Sequence, residues 1–123
     1  MKKINLIVNF KDNRGVIVDI IENEKINAVT YLTIKKGKIR GNHYHKKTYQ
    51  WNYVVSGKLK LISKKNNKKT TLILGPGEIA LTEPNERHAL VGHTSCKVLV
   101  FTKGPRGGKE YESDTFRLKR SLV

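Results

Sequence analysis

Two histidines separated by one residue are the clearest candidates for chemistry in this chain. His43 and His45 lie in the segment Arg40–Lys47, within a region that otherwise reads as a β-strand. Because strand side chains return to the same face at every second position, both imidazoles are expected to project from one face. Imidazole binds divalent metals and also accepts a proton near neutral pH. The pair therefore predicts either a metal site or a proton-transfer site.

Glycine and glutamine flank this pair at a recognisable spacing. Five residues separate Gly37 from His43, four separate His45 from Gln50, and six separate Gln50 from Gly57. This spacing resembles the first motif of the cupin superfamily. The resemblance implies an all-β fold, a double-stranded β-helix or jelly-roll barrel of the cupin type.

Within that superfamily the chain is most similar to the dTDP-4-keto-6-deoxyhexose 3,4-ketoisomerases. More distantly it resembles the dTDP-4-dehydrorhamnose 3,5-epimerases, and both groups are RmlC-like. Besides the His-x-His block, Asp12–Gly15 matches an Asp-x-Arg-Gly element and Tyr111–Asp114 resembles a Tyr-acidic-x-Asp run. The resemblance implies an isomerase or epimerase of a nucleotide-linked 4-keto sugar, active in polysaccharide biosynthesis.

Length and composition limit the alternatives. A chain of 123 residues predicts one domain spanning residues 1–123. The net charge of +15 invites a nucleic-acid interpretation. However, the lysines fall at alternating strand positions, as in Lys58–Leu61, and in turns such as Lys64–Lys69. No amphipathic recognition helix and no zinc-finger spacing accompany them. We therefore expect no nucleic-acid partner.

The chain gives no signal for export or membrane insertion. Asn5 and Asn9 interrupt the apolar character of the first ten residues, and no later apolar run reaches membrane-spanning length. The one cysteine, Cys96, lies in an apolar run and is predicted to be a buried, reduced thiol. These features predict a cytoplasmic protein without a membrane partner.

Short apolar and alternating segments separated by turn residues predict an all-β barrel or sandwich. The loop 103–109 is predicted to be mobile, and residues 111–123 are predicted to pack back on the barrel or on a partner subunit. The predicted strands are Ile4–Val8, Val16–Ile21, Ala28–Ile34, Ile39–His45, Gln50–Ser56, Lys58–Ser63, Thr70–Leu74, Glu78–Thr82, His88–Val91 and Lys97–Thr102.

The resemblance to the ketoisomerases implies catalytic roles for three residues. His43 would be the general base that removes a proton from a carbon next to the C4 ketone. His45 would orient the sugar or carry the second proton. Tyr31, on the preceding predicted strand, would donate a hydrogen bond to the developing oxyanion, unless it is an ordinary barrel tyrosine. In this interpretation the enzyme needs no cofactor.

A nucleotide-diphosphate sugar is the expected ligand. Arg14 and Arg40 would bind its diphosphate and sugar oxygens through their planar guanidinium groups, although Arg14 is equally well placed to pair with Asp12 in its turn. Gln50 is expected to contact substrate. Trp51 either stacks on the base or sugar or packs in the barrel. The modest apolar content of 37% and the short edge strands suggest a homodimer.

A metal-dependent cupin is the alternative, with His43, His45, Gln50 and His88 as ligands of one divalent ion. His88 would be the lone histidine of a second cupin motif, although Glu86 replaces the usual glycine. Gln50 disfavours this alternative because it removes a charge from the ligand set. A cupin that binds sugar without catalysis is a third possibility, since fold alone does not imply chemistry.

Two departures from the ketoisomerase pattern leave the substrate and the activity open. Tyr49 stands where those enzymes have glutamate, and Trp51-Asn52 replaces plainer aliphatic residues. Neither departure affects the predicted fold.

Overall fold

The computed structural model describes residues 1–106 and 112–123. Residues 107–109 of the predicted mobile loop and Tyr111 of the C-terminal motif lie outside them. Twelve strands are assigned among the described residues: β1 (Lys2–Ile4), β2 (Val8–Asp12), β3 (Gly15–Val18), β4 (Ala28–Ile34), β5 (Ile39–Tyr44), β6 (Tyr49–Ser56), β7 (Leu59–Lys65), β8 (Lys68–Leu74), β9 (Ile79–Thr82), β10 (Arg87–Gly92), β11 (Cys96–Lys103) and β12 (Phe116–Arg117).

Ten of these strands form two five-stranded antiparallel sheets. The first sheet has the order β1-β9-β6-β11-β4, and the second has the order β12-β5-β10-β7-β8. The alternation of sequence neighbours between the sheets is that of a jelly roll, so the predicted all-β cupin fold is confirmed. Strands β2 and β3 form a separate two-stranded hairpin.

The apolar core lies between the two sheets. Its members come from both inner faces and include Val54 and Val98 of the first sheet and Leu59 and Leu61 of the second, all fully buried. Alternation explains the pattern, because the leucines of Lys58–Leu61 point inward while the lysines point out. The thiol of Cys96 belongs to this core, as predicted.

The N-terminal region differs from the prediction. The expected strand Ile4–Val8 is broken, since β1 ends at Ile4 and β2 begins at Val8. Strand β1 pairs with β9, whereas β2 pairs only with β3, so the chain leaves the first sheet between them. A run of mainly apolar residues cannot reveal such a change of pairing partner.

The C-terminal segment packs back on the barrel, as predicted. Leu122 is buried against Ile62 and Ala89 on the outer face of the second sheet. Strand β12 extends that sheet by pairing with β5. Among the described residues, the structure has no helix with the length and apolarity needed to cross a membrane.

Candidate functional site

A β-bulge in β5 places the side chains of Arg40 and His43 on the same face of the strand. His43 is opposite His88 of β10 and Gly41 is opposite Ala89, which leaves Asn42 as the extra residue. Both Gly41 (φ 84°) and Asn42 (φ 56°) have left-handed backbone conformations that suit glycine and asparagine. Because a bulge shifts the alternation by one position, Arg40 lies on the same face as His43.

Three histidines meet below this bulge. The ring centroid of His43 lies 4.7 Å from that of His45 and 4.7 Å from that of His88. The centroids of His45 and His88 are 5.2 Å apart. One nitrogen of each ring lies within 4.8 Å of one nitrogen of each of the others. His45 and His88 are buried, and His43 is partly exposed. The structure thus brings together residues that are 45 positions apart in the sequence.

Backbone carbonyl groups fix the tautomers of two rings. The Nδ1 of His45 lies 2.8 Å from the carbonyl oxygen of Asp114, and the Nδ1 of His88 lies 3.0 Å from that of Glu86. A carbonyl can only accept, so both Nδ1 atoms donate and, in the neutral rings, both Nε2 atoms carry a lone pair. These Nε2 atoms are buried without a hydrogen-bond partner among residues 1–106 and 112–123. They are therefore available to a proton or to a metal ion.

Burial keeps two of the rings neutral. Desolvation, followed by the nearby charges of His88, His45, Arg117 and Arg106, lowers the pKa of His43 from 6.5 to about 3. Desolvation likewise lowers the pKa of His88 from 6.5 to about 4, although its bond to Glu86 opposes this shift. Both imidazoles are consequently unprotonated at neutral pH. That is the form required of a general base and of a metal ligand.

Asp114 supports the site from the C-terminal segment. Its buried carboxylate accepts hydrogen bonds from the amides of Lys46 (3.1 Å) and Lys47 (2.8 Å) and from the Thr48 hydroxyl (2.7 Å). Burial raises the pKa of Asp114, but these bonds outweigh it and the pKa is lowered. The side chain therefore anchors the turn after β5, while its own carbonyl orients His45.

A cavity of about 630 Å³ opens in front of the histidines. It brings together four of the predicted site residues, which are Arg40, His43, His45 and Gln50. Tyr31 borders the cavity through the edge strand β4, but its pairing with Leu99 turns its exposed side chain to the outer face of the sheet. His88 lies behind His43 and His45 rather than on the cavity wall. The geometry thus offers unprotonated nitrogens at one side of a polar cavity large enough for a sugar ring.

Two predicted substrate-binding residues do not reach this cavity. Arg14 is exposed at the tip of the β2–β3 hairpin, where its guanidinium pairs with Asp12 at 2.6 Å. Trp51 is buried on the outer face of the first sheet, where its ring stacks on Tyr49 at a centroid distance of 6.4 Å. The reason is alternation, since Gln50 and Asn52 on either side of Trp51 point inward.

Several residues of the site were not predicted from the sequence. Besides the support from Asp114, the cavity wall includes Arg106, Glu112 and Arg117. Arg117 is the Cα partner of His43 across the β5–β12 pair. The only sequence signal for this region was the Tyr-acidic-x-Asp run at residues 111–114, which marks the segment but not its position in space.

Comparison with known proteins finds one family model that matches more than half of the chain. The family model described as the polysaccharide biosynthesis C-terminal domain matches residues 10–89, a range that includes all three clustered histidines. No curated protein sequence matches the chain.

Solved structures with the same fold include two ketoisomerases. A double mutant of the QdtA 3,4-ketoisomerase from Thermoanaerobacterium thermosaccharolyticum, in complex with TDP, is 25% identical, with 94% of this chain and 84% of that chain covered and a TM-score of 0.75. The WlaRB TDP-quinovose 3,4-ketoisomerase from Campylobacter jejuni is 22% identical, with coverages of 95% and 92% and a TM-score of 0.79.

A more distant match is a dTDP-4-dehydrorhamnose 3,5-epimerase from Sulfolobus tokodaii. It is 16% identical, with 77% of this chain and 65% of that chain covered and a TM-score of 0.68. The predicted resemblance, to the ketoisomerases first and the 3,5-epimerases second, is therefore confirmed.

Proposed function

Because the chain belongs to the polysaccharide biosynthesis C-terminal domain family, we propose that it is an isomerase or epimerase acting on a nucleotide-linked 4-keto sugar. The observation that carries this proposal is the cluster of His43, His45 and His88 beside a polar cavity. The QdtA structure, which contains TDP, supports the choice of a nucleotide sugar as ligand.

In the first form of the mechanism, His43 acts as the general base. Its unprotonated ring takes the proton from a carbon next to the C4 ketone, and the electrons of the broken C–H bond move onto the ketone oxygen to give an enediolate. Tyr31 is not placed to donate a hydrogen bond to that oxygen, because its pairing with Leu99 turns its side chain to the outer face of the first sheet. Protonation of C4, together with transfer of the C3 hydroxyl proton to the former ketone oxygen, gives the isomer. Protonation of the original carbon from the opposite side gives the epimer.

His45 cannot act first as a general acid in this mechanism. Its Nδ1 proton is engaged with the Asp114 carbonyl, so its neutral Nε2 has no proton to give. His45 can receive a proton from the reaction and return it later. His43 therefore supplies the first transfer, and either histidine can supply the second.

A second candidate, a metal-dependent cupin, is favoured by the unpartnered Nε2 atoms of His45 and His88. Three imidazoles with one nitrogen each within 4.8 Å of one another fit a divalent transition-metal ion, and Gln50 on the cavity wall could add an oxygen ligand. Such an ion would supply Lewis-acid polarisation of the sugar ketone. In this form His43 is a ligand and cannot also act as the base through the same nitrogen.

We also propose that the protein is a homodimer whose hairpins contact the partner subunit. The β2–β3 hairpin pairs with neither sheet and exposes four large apolar side chains by half or more, those of Val8, Phe10, Val16 and Ile17. Such a group of exposed apolar side chains is typical of a protein–protein interface. A second copy would cover them. Sedimentation velocity should give a dimer mass, and Phe10→Ser should shift it to a monomer. A monomeric wild type would contradict the dimer.

The function is tested by mixing the purified protein with a thymidine-diphosphate 4-keto-6-deoxy sugar and following the sugar protons by NMR. Conversion to an isomer or epimer is expected. Tight binding without conversion would instead favour a sugar-binding cupin. Elemental analysis of protein purified without an affinity tag separates the two mechanisms, because a near-stoichiometric divalent metal selects the second and its absence from active protein selects the first.

A further inference from the structure

The wall of the cavity has an excess of positive charge. Among the described residues of its wall, the arginines are Arg40, Arg106 and Arg117, and the one carboxylate is that of Glu112. Guanidinium groups around a cavity attract a ligand with more than one negative charge.

The backbone of Arg117 is fixed by strand pairing. It lies directly across from His43 in the β5–β12 pair, and the next residue, Leu118, donates its amide to the Asn42 carbonyl at 2.9 Å. The aromatic ring of Phe116 stacks on Tyr44 at 5.3 Å. The backbone that bears Arg117 is therefore held on both sides, and its guanidinium stays near the reactive end of the cavity.

A carboxylate already occupies the fork of this guanidinium. The two terminal nitrogens of Arg117 donate to the two oxygens of Glu112 at 2.9 and 2.8 Å. Both side chains are substantially exposed, at 68% and 43%, and exposed pairs of this kind shift an equilibrium by about fivefold at most. The same planar fork binds phosphate oxygens. The pair is thus easily broken by a stronger anion.

We infer that Arg117 binds the diphosphate of the nucleotide ligand and that Glu112 is an internal competitor, which leaves Arg117 when the ligand enters. This inference rests on the proposed function for the kind of ligand and adds the residues that select it. A diphosphate has more charge than one carboxylate and is attracted by Arg40 as well. A ligand with little or no negative charge gains less binding free energy from Arg117 and displaces Glu112 less readily. The Arg117–Glu112 pair therefore favours the binding of diphosphates over that of neutral sugars.

The test measures the affinity of thymidine diphosphate by calorimetry at low salt, with no turnover required. Glu112→Gln should bind about two- to fivefold more tightly than the wild type because the competitor is neutralised. Arg117→Gln should bind about tenfold more weakly or worse, since a charge-assisted hydrogen-bonded pair is lost. In the double variant, Glu112→Gln should no longer tighten binding. Arg120→Gln, outside the cavity on the same segment, is the matched control for net charge.

Three results would overturn the inference. They are unchanged affinity in Glu112→Gln, an equal effect of Arg117→Gln and Arg120→Gln, and tightening by Glu112→Gln that persists without Arg117. Failure of the proposed function is distinguishable. The expected affinities without sugar conversion would reject the enzyme and leave Arg117 as the anion site, whereas conversion with unchanged affinity in Arg117→Gln would reject only this inference.

Discussion

The space between the two sheets has a polar end and an apolar end that are built from the same strands. On β6 the inward residues change from Gln50 and Asn52 to Val54, and on β10 they change from His88 to Leu90. The apolar end is filled by core side chains. The polar end contains the buried nitrogens of His45 and His88 that lack a partner among the described residues.

The polar end therefore contributes less to the stability of the fold than the apolar end does. Burying a polar atom without a hydrogen bond destabilises the folded state by about 1–3 kcal/mol. A jelly roll does not need such atoms, because its apolar end is packed without them. Buried polar groups without partners are rare, and their concentration beside a cavity is what a ligand-binding site would produce.

The largest effect is expected from the apolar end. Leu61 is fully buried in the core, and Leu61→Ala should lower the free energy of unfolding by about 2–5 kcal/mol through lost burial and the cavity left behind. Urea denaturation measures this change, with the half-exposed Ile73→Ala as control. A loss below about 1 kcal/mol for Leu61→Ala would mean that the apolar end does not carry the stability.

A smaller effect is expected when the polar end is titrated. The folded-state pKa of His88, about 4, lies below its ordinary value of 6.5. The contribution of His88 to stability does not change above pH 6.5. Between pH 6.5 and 4 this side chain takes up a proton in the unfolded chain but not in the folded state, so the free energy of unfolding falls by up to about 3 kcal/mol on its account. His43, whose folded-state pKa is about 3, adds to the loss in the same direction.

Urea denaturation at several pH values with a chelator present checks this prediction. His88→Leu should lose less stability on acidification than the wild type, because it lacks the group that titrates. An equal loss of stability in the wild type and in His88→Leu would contradict the prediction that His88 is responsible for the loss.

Loss of the Asp114 side chain, which supports the segment that orients His45, should lower the free energy of unfolding by less than loss of a core leucine does. Asp114→Asn keeps the size of the side chain but removes its charge and turns one acceptor into a donor, so the amides of Lys46 and Lys47 cannot both be satisfied. We expect a loss of about 1–3 kcal/mol and a fall in kcat that exceeds the change in KM. Thermal unfolding and steady-state kinetics measure the two effects. Unchanged kcat would show that the Asp114 segment does not position the site.

The smallest effect is expected at the hairpin. The ion pair of Arg14 with Asp12 is exposed, so Arg14→Gln should change the free energy of unfolding by less than about 1 kcal/mol. If the homodimer brings Arg14 to a partner's cavity, the same variant should weaken thymidine diphosphate binding. Calorimetry decides, and unchanged affinity would exclude Arg14 from the ligand site.

The strands and the histidine pair were predictable because both depend on local alternation. A period of two residues places His43 and His45 on one face wherever the strand happens to pair. The same rule could have corrected one prediction, since adjacent residues such as Gln50 and Trp51 cannot both face the cavity in a regular strand. The structure places Gln50 at the cavity and Trp51 outside it.

Other features depend on pairing between distant segments. Simple alternation would put Arg40 and His43 on opposite faces, and the bulge at Asn42 reverses this. The Gly-Asn dipeptide is a signal for a bulge, but it does not say where the extra residue points. Arg117 reaches His43 only through the β5–β12 pair, whose register comes from tertiary packing.

The most direct test of the proposed mechanism follows solvent exchange of the substrate's C3 proton. With a thymidine-diphosphate 4-keto-6-deoxy sugar in deuterated water, the wild type should replace this proton with deuterium, as NMR would show. His43→Asn should fold and bind the nucleotide sugar but exchange at least about a hundredfold more slowly, because the abstracting base is gone. Exchange at the wild-type rate in His43→Asn with substrate bound would contradict the role of His43 as the base.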